Sequence, residues 1–68
     1  MEIVFDIIED PEGGYIAECL SEDIFTQANS WDELRQCVKE ATQCHFMDRS
    51  DKPQRIRLHL VKDEVLAT

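Results

Sequence analysis

Ser30 and Glu33, three residues apart in Asn29-Ser30-Trp31-Asp32-Glu33, fix where this chain must turn from strand to helix. A serine hydroxyl at that position accepts from the Glu33 backbone N–H, and the Glu33 carboxylate reaches back to the Ser30 N–H. Asp32 and Glu33 place negative charge in the first turn, where the helix dipole favours it. Trp31 to about Phe46 is the only stretch with helical periodicity, so every other element has to be arranged around one helix. At 100° per residue, Trp31, Leu34, Cys37, Val38, Ala41, Cys44 and His45 fall on one stripe. Asp32, Arg35, Gln36, Lys39, Glu40 and Gln43 cover the other side. Phe46 lies off the stripe, which implies that the helix end folds back or that Phe46 meets a partner.

The rest of the chain reads as strands. In residues 2 to 9, Ile3, Phe5 and Ile7 point one way while Glu2, Val4, Asp6 and Ile8 point the other. Asp10-Pro11-Glu12-Gly13-Gly14 is a turn, because proline pre-sets φ and glycine supplies positive φ. Tyr15 to Leu20 returns as the second strand. Tyr15, Ala17 and Cys19 share the core face, and Ile16, Glu18 and Leu20 face outward. Ser21-Glu22-Asp23 is a loop. Ile24 to Ala28 is a short third strand, too short for its alternation to fix a buried face. Asp48 to Pro53 is a polar connection. Gln54 to Lys62 is the fourth strand, with Ile56, Leu58 and Leu60 inward and Arg55, Arg57, His59 and Val61 outward. Residues 63–68 form one more turn or fray.

The expected fold is therefore a single α+β domain over residues 1–68. It has two layers in the order β-β-β-α-β, one helix packed on a four-stranded mixed sheet. A right-handed crossover places the last strand beside the first, in the order 3-2-1-4. The expected core is Ile3, Phe5, Ile7, Tyr15, Ala17, Leu34, Val38, Ala41, Ile56, Leu58 and Leu60. No second helix is left to cover the outer sheet face. Patches of that kind mark association surfaces. Glu2, Val4, Asp6, Ile8, Ile16, Glu18, Leu20 and Val61 are thus the expected partner or oligomer surface, with a homodimer or larger assembly as the outcome.

Charge narrows the partner. Fifteen acidic and seven basic residues give a net charge of −8. That opposes nucleic acid and anionic membranes and favours a basic protein, the alternative being that the charge only keeps a small chain soluble. The basic run Arg49, Lys52, Arg55, Arg57 is short, and pairing with Asp6 or Glu18 across the sheet accounts for it. Cys19, Cys37 and Cys44 are odd in number, with no signal peptide and no membrane-length apolar run. These features point to a reducing cytoplasm.

Nothing converges into a catalytic or metal centre. Cys44 and His45 are adjacent and diverge by 100° on a helix, and Cys37 lies two turns from Cys44. The three thiols read as core residues. His45 reads as a packed histidine near the helix C-terminus. His59 has basic neighbours in its own strand, and nothing there raises its basicity. The serines lack a nearby base, and no helix follows Gly13-Gly14 to make a phosphate site. No enzyme activity, catalytic residue, metal or cofactor is expected.

Glu12-Gly13-Gly14-Tyr15-Ile16-Ala17 and Phe25-Thr26-Gln27-Ala28-Asn29-Ser30-Trp31-Asp32-Glu33-Leu34 together resemble the HicB-like antitoxin family, as does Val38-Lys39-Glu40-Ala41. The motifs encode a turn, a strand end and a cap. The resemblance implies a partial double-stranded-RNA-binding-domain fold that oligomerises. It also implies a type II antitoxin that neutralises a small basic HicA-type mRNA-cleaving toxin by protein–protein contact. The alternative is an orphan HicB-like homo-oligomer with another binding role. Two departures stand out. Ser21-Glu22-Asp23-Ile24 replaces a common Pro-Gly pair, and no DNA-binding segment follows the last strand.

Overall fold

A computed structural model describes residues 1–68 and has five elements: β1 (Glu2–Glu9), β2 (Tyr15–Cys19), β3 (Phe25–Ala28), α1 (Trp31–His45) and β4 (Arg55–Val61). The strands form one sheet in the order β3-β2-β1-β4. β2 runs antiparallel to both β1 and β3, and β4 runs parallel to β1. The expected two-layer fold and strand order are both present.

The β1–β2 turn has the geometry its residues require. Gly13 N–H donates to the Asp10 carbonyl at 2.9 Å, and the Asp10 side chain accepts from Glu12 N–H at 2.9 Å. Gly13 and Gly14 both have positive φ, at 106° and 87°. A Cβ on Gly14 would sit 2.6 Å from the Ala28 carbonyl oxygen, so β3 passes too close for any side chain there. Next to it, the Tyr15 and Trp31 rings meet edge-to-face at 5.4 Å, tying the hairpin to the helix start.

Ser30 caps the helix as expected, its hydroxyl accepting from Glu33 N–H at 3.2 Å. The reciprocal bond from Ser30 N–H to the Glu33 carboxylate is not formed, because Glu33 points into solvent. The cap is therefore half of a capping box.

The core lies between α1 and the inner sheet face. Ile3, Phe5 and Ile7 of β1, Ala17 and Cys19 of β2, Ile24 just before β3 and Ala28 within it, and Leu34 and Val38 of α1 are buried. The face of β3 that periodicity left open is thereby settled: Ile24 and Ala28 point inward and Phe25 outward. Phe46 is also in the core, 2% exposed. It is the residue at which the helix ends, with φ −99° and ψ 10°, and its N–H still donates to the Thr42 carbonyl at 3.1 Å. The chain folds back there, so Phe46 serves the core and is not available to a partner.

Three expectations are corrected at the helix C-terminus and the sheet edge. Cys44 and His45 are exposed, whereas Thr42 is buried on the core side. The helix packs on β3 and β2. Cys37 is half-buried, which leaves only Cys19 as a fully buried thiol. Leu60 points inward but remains exposed, because α1 does not extend over the far end of β4.

Candidate functional site

The outer sheet face is left uncovered by the rest of the chain. Strand register resolves it into rows. Gln27, Ile16, Ile8 and Val61 stand side by side across β3, β2, β1 and β4. The next row is Phe25, Glu18, Asp6 and His59. Beyond it Val4 adjoins Arg57, with Leu20 N–H donating to the Val4 carbonyl at 3.0 Å. Glu2 and Arg55 end the face. All eight expected surface residues, Glu2, Val4, Asp6, Ile8, Ile16, Glu18, Leu20 and Val61, belong to this single face. The apolar ones form a continuous row in Ile16-Ile8-Val61 and a second group in Val4 and Leu20.

Phe25 belongs to the same surface and was not foreseen in the sequence. It is 62% exposed beside Glu18. Its signal was the alternation of Ile24, Thr26 and Ala28 against Phe25 and Gln27, which a neighbouring strand's register resolves and four residues alone do not.

The charges on this face are unevenly matched. Arg57 Nε donates to Glu2 Oε1 at 2.9 Å, and Arg55 Nε lies 3.6 Å from Glu2 Oε2. The Arg57 hydrogen bond is the main cause that holds the Glu2 carboxyl below its ordinary value, and it raises the guanidinium in return. The arginines of β4 therefore pair with Glu2 and not with Asp6 or Glu18. Asp6 and Glu18 are instead direct cross-strand neighbours, a like-charge pair that disfavours the sheet. The only cation-forming group at them is His59, whose Nδ1 is 3.2 Å from Asp6 Oδ1. His59 thus faces a carboxylate across the strand pair, which its own strand neighbours did not reveal. Glu18 has no ionic partner.

A second polar cluster lies at the helix C-terminus. Glu22 Oε1 accepts from His45 Nε2 at 2.9 Å and from Arg49 at 2.8 Å. Arg49 also donates to both Asp51 oxygens, at 3.0 and 2.6 Å, and stacks 4.6 Å over the Phe46 ring. The hydrogen bonds from His45 and then Arg49 hold the Glu22 carboxyl below its ordinary value. The Arg49 hydrogen bond does the same to Asp51. This cluster ties the β2–β3 loop to the end of α1. It spans the chain reversal at Phe46.

No group of three His, Cys, Asp or Glu side chains converges to hold a metal ion. No helix is long and apolar enough to cross a membrane.

These features define a small two-layer α+β domain with one sheet face turned to its surroundings. A UPF0150 protein from Thermotoga maritima is 39% identical over 66 residues, covering 97% of this chain and 91% of the relative. A UPF0150 protein from Archaeoglobus fulgidus is 41% identical over 51 residues, 75% of this chain and 76% of that protein. The chain belongs to the UPF0150 family. No protein-family model matches it, and no solved structure matches it.

Proposed function

We propose that this protein is a binding domain without chemistry of its own, an orphan of the HicB-like, partial double-stranded-RNA-binding-domain type that works as a homo-oligomer. The observation that carries the reading is the uncovered row Ile16-Ile8-Val61, continued by Val4, Leu20 and Phe25 on one face. Contiguous apolar surface of this kind is buried by association. A two-fold contact between copies is the default form. Light scattering at micromolar concentration tests it. The expected mass is at least twice the 7.9 kDa of one chain, and Ile16→Asp lowers it without unfolding the domain. A 7.9 kDa species, or an assembly indifferent to Ile16→Asp, overturns the proposed surface.

A second reading is favoured by the Asp6–Glu18 pair and the net charge of −8. Two adjoining carboxylates, of which only Asp6 has a histidine beside it, are relieved by a cation from outside. That is the arrangement an antitoxin needs against a small basic HicA-type toxin. Co-expression with a small basic protein encoded by a neighbouring gene is the test. A retained complex that Asp6→Asn with Glu18→Gln weakens supports the reading, and failure to retain that protein defeats it.

A further inference from the structure

Charge is divided along the chain and across the sheet. The first 34 residues, which supply β1, β2 and β3, contain no lysine or arginine. All seven basic residues follow, and all but Arg49 gather on the β4 side. Arg55 and Arg57 stand in β4 itself, and Lys62 follows its last residue. Arg35, Lys39 and Lys52 rim an open groove of about 480 Å³ between α1 and the inner side of β4. Its floor is Val38, Ile56 and Leu58, and no acidic residue lines it. The chain has fifteen carboxylates, yet Arg35, Lys39, Lys52 and Lys62 have none within ion-pair distance. Arg55 and Arg57 share Glu2 and keep side chains 75% and 61% exposed.

β4 is also an edge strand, seven residues long, with an open row of backbone groups. The helix packs on β3 and β2, so Ile56 and Leu58 stay half-buried and Leu60 exposed. This margin therefore offers unmade backbone bonds, apolar surface on the inner side and positive charge on both sides. The opposite edge, β3, has four residues under α1 and is flanked by Glu22, Asp23, Asp32 and Glu33. A second β4 brings Arg55 and Arg57 against like charges, which disfavours self-pairing. A nucleic acid has the opposite charge but no peptide backbone to continue the sheet.

We propose that the β4 edge binds an extended acidic segment of another protein by strand addition. The segment's backbone continues the sheet as a fifth strand. Its apolar side chains turn inward beside Ile56 and Leu58, and its carboxylates turn outward beside Arg55 and Arg57. Arg35, Lys39 and Lys52 keep this margin positive in a molecule of net charge −8, which draws such a segment to it. The contact uses the edge, so it does not depend on the outer-face association proposed above.

A fluorescent peptide of alternating Glu and Val, seven residues long to match β4, tests this by anisotropy. The expected result is saturable binding that shifts the backbone amide resonances of β4 and spares those of β3. A second peptide carries the same charges but has proline in place of its central Val, which removes a ladder donor. It binds about tenfold or more weakly. Lys39→Glu with Lys52→Glu, at exposed residues without ionic partners, weakens the first peptide about fivefold or more and flattens its salt dependence. Circular dichroism verifies that this variant is folded. Equal binding of the two peptides, or of a single-stranded RNA of equal charge, overturns strand addition and leaves a site for any polyanion. No binding at millimolar peptide also overturns it, and the cations then serve only to keep β4 from pairing with its own kind.

Discussion

Ile7 and Leu60 are register neighbours on the same side of the same sheet, yet Ile7 has no exposed surface and Leu60 keeps 40%. Both follow the alternation of their strands faithfully. What separates them is the path of α1, which packs on β3 and β2, shields β1, and stops short of β4. Strand pattern decides which side a residue faces. Only the placement of the second layer decides whether that side is dry. The difference divides the inner face into a sealed half, which supplies stability, and an open half at β4.

Substitution distinguishes the halves. Phe46→Ala in the sealed half costs about 3–5 kcal/mol, as expected of a fully enclosed aromatic residue. That is comparable to the whole stability of many small domains, so urea titration should find little folded protein. Leu60→Ala at the open end of β4 costs about 1 kcal/mol, because part of its surface already meets water. If the two losses were equal, the division of the inner face would be wrong. Ser30→Ala acts on the start of the covering helix and costs about 1 kcal/mol by removing the bond to Glu33 N–H. A melting temperature matching the parent would mean that the cap adds nothing in solution.

The smallest effect is expected from pH at the Glu22 cluster, which fastens the sealed half at the helix end. The folded Glu22 carboxyl titrates below its ordinary value, principally because His45 donates to it. A carboxyl with a lowered folded value contributes stability above its unfolded value, and that contribution is lost as pH falls through the folded value. Stability therefore declines as pH drops below about 4.5, the ordinary glutamate value. Glu22→Gln should flatten part of that slope in a series of urea titrations at stepped pH. Glu2 shifts in the same direction through Arg57, so some slope persists in the variant.

The same contrast explains what was legible in the sequence. Period-2 alternation in β1, β2 and β4, the Gly13-Gly14 turn and the Ser30 cap are local signals, and each led to the right element. The strand order followed from the handedness of the single crossover. Phe46 was illegible because the helical period no longer applies where the helix ends and the chain folds back. Cys44 and His45 lie outside the core they were expected to join, in the same last turn. The His59–Asp6 contact depends on the parallel register of β4 with β1, which neither strand encodes alone. The outer face was legible in β1, β2 and β4 but not at Phe25 of β3, and its division into apolar and charged rows was not legible, since a row takes one residue from each strand.

The parallel pairing of β4 with β1 has a kinetic consequence. Glu2 meets Arg55 and Ile8 meets Val61, so nearly the whole chain must be drawn into a loop before this ladder closes. The β1–β2–β3 meander and the helix start instead join residues close in sequence, with Gly14 against Ala28 and Tyr15 against Trp31. Loop-closure entropy delays the long-range ladder, and helix and meander form the folding nucleus. Destabilising substitutions in β4 should then speed unfolding and leave the folding rate almost unchanged, while those in β1–β2 slow folding. During that delay the inner edge of β1 is open, and a β4 strand from any copy fits it, so refolding at high concentration should yield strand-exchanged dimers that dilution releases only at the rate of unfolding.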